Sequence, residues 1–154
     1  MAKNSFKELW EIVEIPVYIA IGWTLVSLLF PLAEYLGITT ASLVGWGMNF
    51  LIFGMVGYNV AKKSGKIKSG VKAGAFAGAI TGFIGSVMTI IWYNIFPDKM
   101  SALLEQAVAA GAPESMAETS IKIGLYLSII IGPVIAAVIG GAIAVFFTWV
   151  FSEK

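Results

Sequence analysis

The stretch IGLYLSIIIGPVIAAVIGGAIAVFFTWVF, residues 123–151, contains no charged side chain. A helix needs about 20 mainly apolar residues to cross the hydrocarbon core of a bilayer, and this stretch is longer than that. Small residues recur at every fourth position, which places them along one side of a helix. Residues 123–151 therefore predict a membrane-spanning helix with a continuous face of small residues.

Three more apolar runs precede this stretch, and the charged residues lie mainly between the runs and at the chain ends. Of the 154 residues, 58% are hydrophobic and 12% are charged, whereas about 25% of the residues of a soluble domain are charged. We therefore predict an all-α integral membrane protein with a single membrane domain, residues 1–154. The four spans predicted by the length criterion are residues 15–36, 41–61, 73–96 and 121–151.

Two segments outside these spans have the apolar spacing of short amphipathic helices. Residues 5–14 predict one that leads into the first span, and residues 98–120, the longest polar stretch, predict another on the outer membrane surface. Pro113 suits the first position of a helix, and that helix can continue through the fourth span. Pro31 predicts an end or a kink of the first span near Phe30.

The distribution of lysines predicts the orientation in the membrane, because lysine-rich loops stay in the cytoplasm. All basic residues of the chain are lysines, and eight of the ten fall on one side of the predicted spans. We expect both termini in the cytoplasm and the chain in the plasma (inner) membrane. The cytoplasmic loop between the second and third spans carries Lys62, Lys63, Lys66, Lys68 and Lys72 and is predicted to face lipid headgroups.

Small residues at intervals of four predict close helix packing in the third and fourth spans. Inside lipid there is little hydrophobic drive between helices, so small residues that let backbones approach supply the attraction. Such faces join helices of one chain or of two, and the sequence leaves both open. The predicted packing residues are Gly70, Gly74, Gly78, Gly82, Gly85, Gly124, Gly132, Ala136 and Gly140.

A second group of residues predicts a possible path for an ion or a small solute. Pro133 removes a backbone hydrogen bond near the middle of the fourth span and frees the carbonyl of Ile129. Something must satisfy that carbonyl in lipid, and we expect Ser128 or Asn49 to do so. Glu14 is a carboxylate at the edge of the first span, and acids in spans are candidate functional groups. The candidate transport residues are Asn49, Ser128, Pro133 and Glu14.

The composition argues against several functions. The chain has no Cys, no His and no Arg, while acid–base and metal chemistry draw mainly on His, Cys and clustered carboxylates. We therefore expect no enzyme activity, no metal, no cofactor and no nucleic-acid partner. The expected partners are the lipid bilayer and either further copies of the chain or a larger membrane complex.

The main hypothesis is a structural or accessory subunit that packs through its glycine faces. The alternative is a small oligomeric transporter or channel with a site near Gly132, Pro133 and Asn49.

Overall fold

The computed structural model describes residues 2–30 and 36–152, and of residues 2–5, 38, 99 and 102 it describes the backbone only. These ranges are almost entirely helical. The helices are α1 (Ala2–Leu29), α2 (Ile38–Lys63), α3 (Ile67–Ile95), α4 (Pro97–Ala109) and α5 (Glu114–Ser152). In the described part of the chain, α1, α2, α3 and α5 are long and apolar enough to cross a membrane. The predicted all-helical fold with four candidate spans is confirmed.

Residues 5–14 lead directly into the first candidate span, because α1 is one helix that continues through Pro16. An interfacial position for this segment stays a prediction. The end of α1 at Leu29, just before Pro31, confirms the predicted stop near Phe30, since a residue before proline is driven out of helical conformation. The chain bends at Phe30. The predicted extension of this span to residue 36 stays a prediction, because residues 31–35 lie outside the described ranges. Glu34, which the sequence predicts to be either solvated or paired with Lys122, lies outside the described residues.

The turn between α2 and α3 is short and is built around a glycine. Gly65 adopts a φ of 60°, a conformation that residues with a side chain rarely take. The amides of Ser64 and Gly65 both donate to the carbonyl of Val60, at 2.8 and 3.1 Å, which closes the end of α2. The lysines on either side therefore stand close together at one end of the bundle.

The polar stretch of residues 98–120 is divided between two helices. α4 begins with Pro97 at its first position, and Gly111, with a φ of 96°, separates it from α5. As predicted, α5 begins directly after Pro113 and runs on through the apolar stretch as one helix of 39 residues. At 1.5 Å per residue it is about 58 Å long, roughly twice the hydrocarbon thickness. Placement of α4 on a membrane surface stays a prediction.

Most of the buried hydrophobic residues that the structure describes lie toward one end of the bundle, which we call the closed end. It contains the first half of α1, the second half of α2, the first half of α3 and the last turns of α5. α3 packs against α5, α2 packs against both, and α1 packs against α2 and α3. The core of the closed end comprises Ile12, Val13, Val17, Phe53, Val56, Val60, Ala73, Ala77, Ile143 and Ala144.

At the opposite end, the open end, α1 ends and α2 begins, and large apolar side chains point away from the bundle. Leu43 and Ile130 are 67% and 68% exposed. In the most apolar window of each candidate span, only 17% to 28% of the residues are buried within the chain. Apolar surface on this scale is what a lipid environment or a partner chain covers.

Candidate functional site

Where α3 and α5 meet, the glycines of α3 lie directly against backbone atoms of α5. A Cβ atom on Gly78 would collide with the carbonyl oxygen of Ala136, and one on Gly74 with that of Gly140. A Cβ on Gly82 would lie 2.8 Å from the carbonyl oxygen of Gly132. Only a residue without a side chain fits at these places, so the two small-residue faces approach each other within one chain.

The same face continues to the closed end of the bundle. A Cβ on Gly70 would lie 2.5 Å from Oγ1 of Thr148. Thr148 is fully buried, and its Oγ1 lies 2.7 Å from the carbonyl oxygen of Ala144 and 3.2 Å from that of Gly57 in α2. This hydroxyl therefore lies at the point where α2, α3 and α5 meet.

Two of the predicted packing glycines lie outside this contact. A Cβ on Gly85 or Gly124 would meet no atom within 4 Å. Gly85 falls between the members of the every-fourth row, Gly70 to Ser86, that follows α5. The position opposite Gly124 in the antiparallel register is Ile90, a bulky residue that ends the small face of α3. Packing of these two glycines against another chain stays a prediction.

A cleft of about 380 Å³ begins where the core of the closed end stops. We call it the central cleft. α1 contributes Trp23 and Thr24, α2 contributes Trp46 and Asn49, and α3 contributes Thr81. The remaining lining is apolar or glycine: Ala20, Ile52, Phe53, Gly82, Gly132, Ile135, Ala136 and Ile139. The central cleft is thus mainly apolar with a few hydrogen-bonding groups, as small-molecule sites commonly are.

The two threonines of the central cleft turn their hydrogens to their own helices. Thr24 Oγ1 donates to the carbonyl of Ala20 at 2.9 Å, and Thr81 Oγ1 donates to that of Gly78 at 3.2 Å. The carboxamide of Asn49 belongs to an exposed residue on the cleft wall. It is therefore the strongest hydrogen-bonding group that the lining offers to an occupant.

Pro133 frees the carbonyl of Ile129 in α5, and the predicted hydrogen-bond partners of this carbonyl, Ser128 and Asn49, have other surroundings in the structure. Ser128 Oγ donates to the carbonyl of Leu125 at 2.6 Å instead of that of Ile129. Asn49 lines the central cleft. The buried Ser86 of α3 donates to the carbonyl of Ser128 at 2.8 Å, one residue before Ile129. Pro133 itself turns toward α3, with its Cα 2.9 Å from the place of a Cβ on Gly82.

α1 also contains an internal proline, Pro16. Here a side chain of another helix does bond to the carbonyl that the proline frees, as the sequence predicted for α5. Pro16 is fully buried in α1, and a proline at this position frees the carbonyl of Ile12, four residues earlier. Asn59 of α2 donates its Nδ2 hydrogen to that carbonyl at 3.0 Å. Asn59 is half-buried and bonded across the helix interface.

The structure separates Glu14 from the other candidate transport residues. Glu14 is half-buried on α1 at the closed end. The first residue of α1 that lines the central cleft is Ala20, more than one helical turn further on. Asn49 and Gly132 share the central cleft, whereas Glu14 does not line it.

The basic loop of the sequence is a tight turn flanked by helix ends. Lys62 and Lys63 are in the last turn of α2, Lys66 precedes α3, and Lys68 and Lys72 lie in its first turns. Lys63 forms an ion pair with Glu11 of α1, with 3.2 Å between Nζ and Oε2. On the opposite side, Lys122 pairs with Glu118, with 2.6 Å between Nζ and Oε1.

Sequence reasoning missed Trp23, Trp46, Thr24 and Thr81 as lining of the central cleft. A signal was available for Trp46, because it precedes Asn49 by three residues and so shares its helix face. Both tryptophans also fit the role of interfacial anchors, because tryptophan in membrane helices is enriched at the membrane–water interface. Only the packing of α1 beside α2 brings the two rings to one cleft.

Comparison of the chain with protein family models, with curated proteins and with solved structures finds no match.

Proposed function

We propose that this chain is a non-enzymatic membrane subunit that receives a transmembrane helix of another chain at its open end. The observation that carries the proposal is the difference between the two ends. At the closed end the helices bury a common core, whereas at the open end they separate around the central cleft. A partner helix at the open end would complete the packing that the chain begins at the closed end.

The glycines support this proposal by their positions along the bundle. The glycines of α3 and α5 at the closed end lie against backbone of another helix, while five glycines in the interiors of helices meet no atom within 4 Å. In a helix interior glycine costs about 1 kcal/mol relative to alanine, and close approach of a second helix is the ordinary compensation in membranes. The five are Gly22, Gly45, Gly47, Gly85 and Gly124, and all lie toward the open end.

The lining of the central cleft supports the same occupant. In the part of the chain that the structure describes, this lining includes tryptophan, threonine and asparagine side chains but no ionisable side chain. Intramembrane paths for protons and ions generally use ionisable residues. An apolar helix with an occasional hydrogen-bonding group matches the lining better than a hydrated ion does.

The proposal is tested by native mass spectrometry of the tagged chain, gently extracted from its own membrane. We expect a complex with a second membrane protein, and we expect Gly45→Leu to dissociate it because a leucine would fill the approach surface. Gly45 has open space around it, so this variant should still fold. Val44→Leu is the matched control on the neighbouring, partly exposed position. A monomer for the wild-type chain would contradict the proposal.

The second candidate function is an oligomeric transporter or channel, and the shared position of Asn49 and Gly132 in the central cleft favours it. It requires water in the central cleft, whereas a docked helix excludes water. Because the chain has no Cys, Asn49→Cys supplies a single thiol for labelling in native membranes. Rapid reaction with a small charged thiol reagent would favour transport, and protection from that reagent would favour the subunit. Leu43→Cys, on the exposed outer side of α2, is the control for a lipid-facing thiol.

A further inference from the structure

A second cleft, of about 450 Å³, lies at the closed end between α1 and the turn that joins α2 to α3. We call it the polar cleft. Lys63 and Ser64 come from the end of α2, and Ser69 and Lys72 from the start of α3. Its volume is within the range of small-molecule sites, and the function proposed above does not use it.

The two walls of the polar cleft differ in chemistry. The wall from α2 and α3 offers the ammonium groups of Lys63 and Lys72 and the hydroxyl of Ser69 as hydrogen-bond donors. Lys63 shares its charge with Glu11, and the hydroxyl of Ser64 donates to the carbonyl of Val60 at 3.3 Å. Among the residues that the structure describes, Lys72 and Ser69 are therefore the uncommitted donors of this wall. The α1 wall offers Leu9 and Ile12, which pack with the bundle core. The polar cleft therefore stands at the boundary between charged residues and apolar spans, where phospholipid headgroups meet their acyl chains.

The start of α3 adds to the attraction for an anion. Its helix begins at Ile67, and Ser69 in the first turn lines the polar cleft. The first amides of a helix and its dipole favour a negative group nearby. Together with the two lysines, they form a site for one phosphate group.

A single carboxylate, that of Glu8, also lines the polar cleft. A carboxylate repels a simple anion but attracts an ammonium group, and phosphoethanolamine carries both a phosphate and an ammonium. We propose that the polar cleft binds the phosphoethanolamine headgroup of a phospholipid. The phosphate lies against Lys72, Lys63 and Ser69, and the ammonium lies against Glu8.

A free phosphate ion shares part of this chemistry, and the apolar wall argues for the lipid. Leu9 and Ile12 give a hydrocarbon chain a surface beside the phosphate position, whereas an inorganic ion gains nothing from them. The ammonium likewise gives Glu8 a partner that free phosphate lacks.

The test uses the full chain in detergent, with native mass spectrometry of bound lipid after titration with phosphatidylethanolamine or phosphatidylcholine. The two lipids share the phosphate, but only the ethanolamine can donate hydrogen bonds to Glu8. We expect a preference for phosphatidylethanolamine that Glu8→Gln abolishes. We expect Lys72→Gln to weaken its binding about fivefold, and Lys68→Gln, outside the cleft lining, to leave it unchanged.

Three results would overturn the proposal: equal loss in both lysine variants, equal binding of both lipids to the wild-type chain, or displacement of the lipid by inorganic phosphate at equal concentration. Lys72 and Glu8 are exposed, so their replacement leaves the core intact, which a thermal melt of each variant checks. Ser69→Ala is an independent variant on the same wall and is expected to weaken lipid binding in the same direction.

Discussion

At the scale of single residues, the bond from Asn59 to the carbonyl of Ile12 explains how α1 passes through a proline. A carbonyl without a partner costs several kcal/mol in a membrane, and Pro16 creates one in the middle of α1. Asn59 lies 47 residues away in sequence and supplies the missing hydrogen at 3.0 Å. This single bond therefore connects the course of α1 with the position of α2.

We expect Asn59→Ala to lower the free energy of unfolding by about 0.6–2 kcal/mol, the range of interhelical hydrogen bonds in membranes. The loss should be smaller when Pro16→Ala is also present, because the restored amide of residue 16 then donates to Ile12. Unfolding of the wild type, the two single variants and the double variant in micelles measures this coupling. Additive losses would show that Asn59 acts elsewhere.

At the scale of helices, the pairing of α3 with α5 depends on which row of α3 a glycine occupies. Gly78 belongs to the every-fourth row that lies against α5, at Ala136, whereas Gly85 lies off that row and meets open space. Both substitutions by alanine improve helix propensity equally. Any difference between them therefore reports the helix contact alone.

We expect Gly78→Ala to destabilise the chain by about 1–3 kcal/mol, because the added methyl group forces the two backbones apart. Gly85→Ala is expected to be neutral or to stabilise by up to about 1 kcal/mol. Thermal unfolding of both variants in the same detergent provides the comparison. If both variants melt together with the wild type, the backbone contact contributes nothing to stability.

At the scale of the whole molecule, the surface is larger than that of a compact soluble protein. The accessible surface is 9839 Å², whereas roughly 7500 Å² is expected for a soluble monomer of 16.4 kDa. Separation of the helices at the open end and the length of α5 account for the excess. The exposed apolar side chains of such a molecule require lipid or a partner chain to cover them.

The predicted orientation places the turn after α2 in the cytoplasm and α4 outside. Single thiols test it, because the chain has no Cys. Ser64 and Ser101 are exposed, so a membrane-impermeant maleimide applied to intact cells should label Ser101→Cys and spare Ser64→Cys. Permeabilised cells, in which both thiols should react, are the control, and the reverse pattern would invert the orientation.

Much of the fold was predictable because the bilayer imposes length and composition on each span. Pro31 and Pro97 mark the ends of α1 and α3, and Pro113 marks the start of α5, since a proline has no amide to continue a helix. The passage of α1 through Pro16 could not be predicted in this way. It depends on whether another helix supplies a donor for the freed carbonyl, and no local pattern reveals that donor.

The candidate site was only partly predictable. Asn49 and Gly132 were singled out and do line one cleft, whereas the tryptophans beside them were missed and Glu14 and Pro133 turn elsewhere. Periodicity tells which residues share a face of one helix. It does not tell which faces of two helices meet.

By itself, the sequence determined that the chain is helical, where most helices stop and which faces carry small residues, because these properties depend on near neighbours along the chain. Three features became visible only in the tertiary structure. The glycines of α3 meet α5 within one chain, and Asn59 donates to the carbonyl that Pro16 frees. The central cleft lies between the helices toward the open end of the bundle. Those outcomes depend on contacts between residues far apart in sequence. Contacts of that kind follow from the relative placement of whole helices.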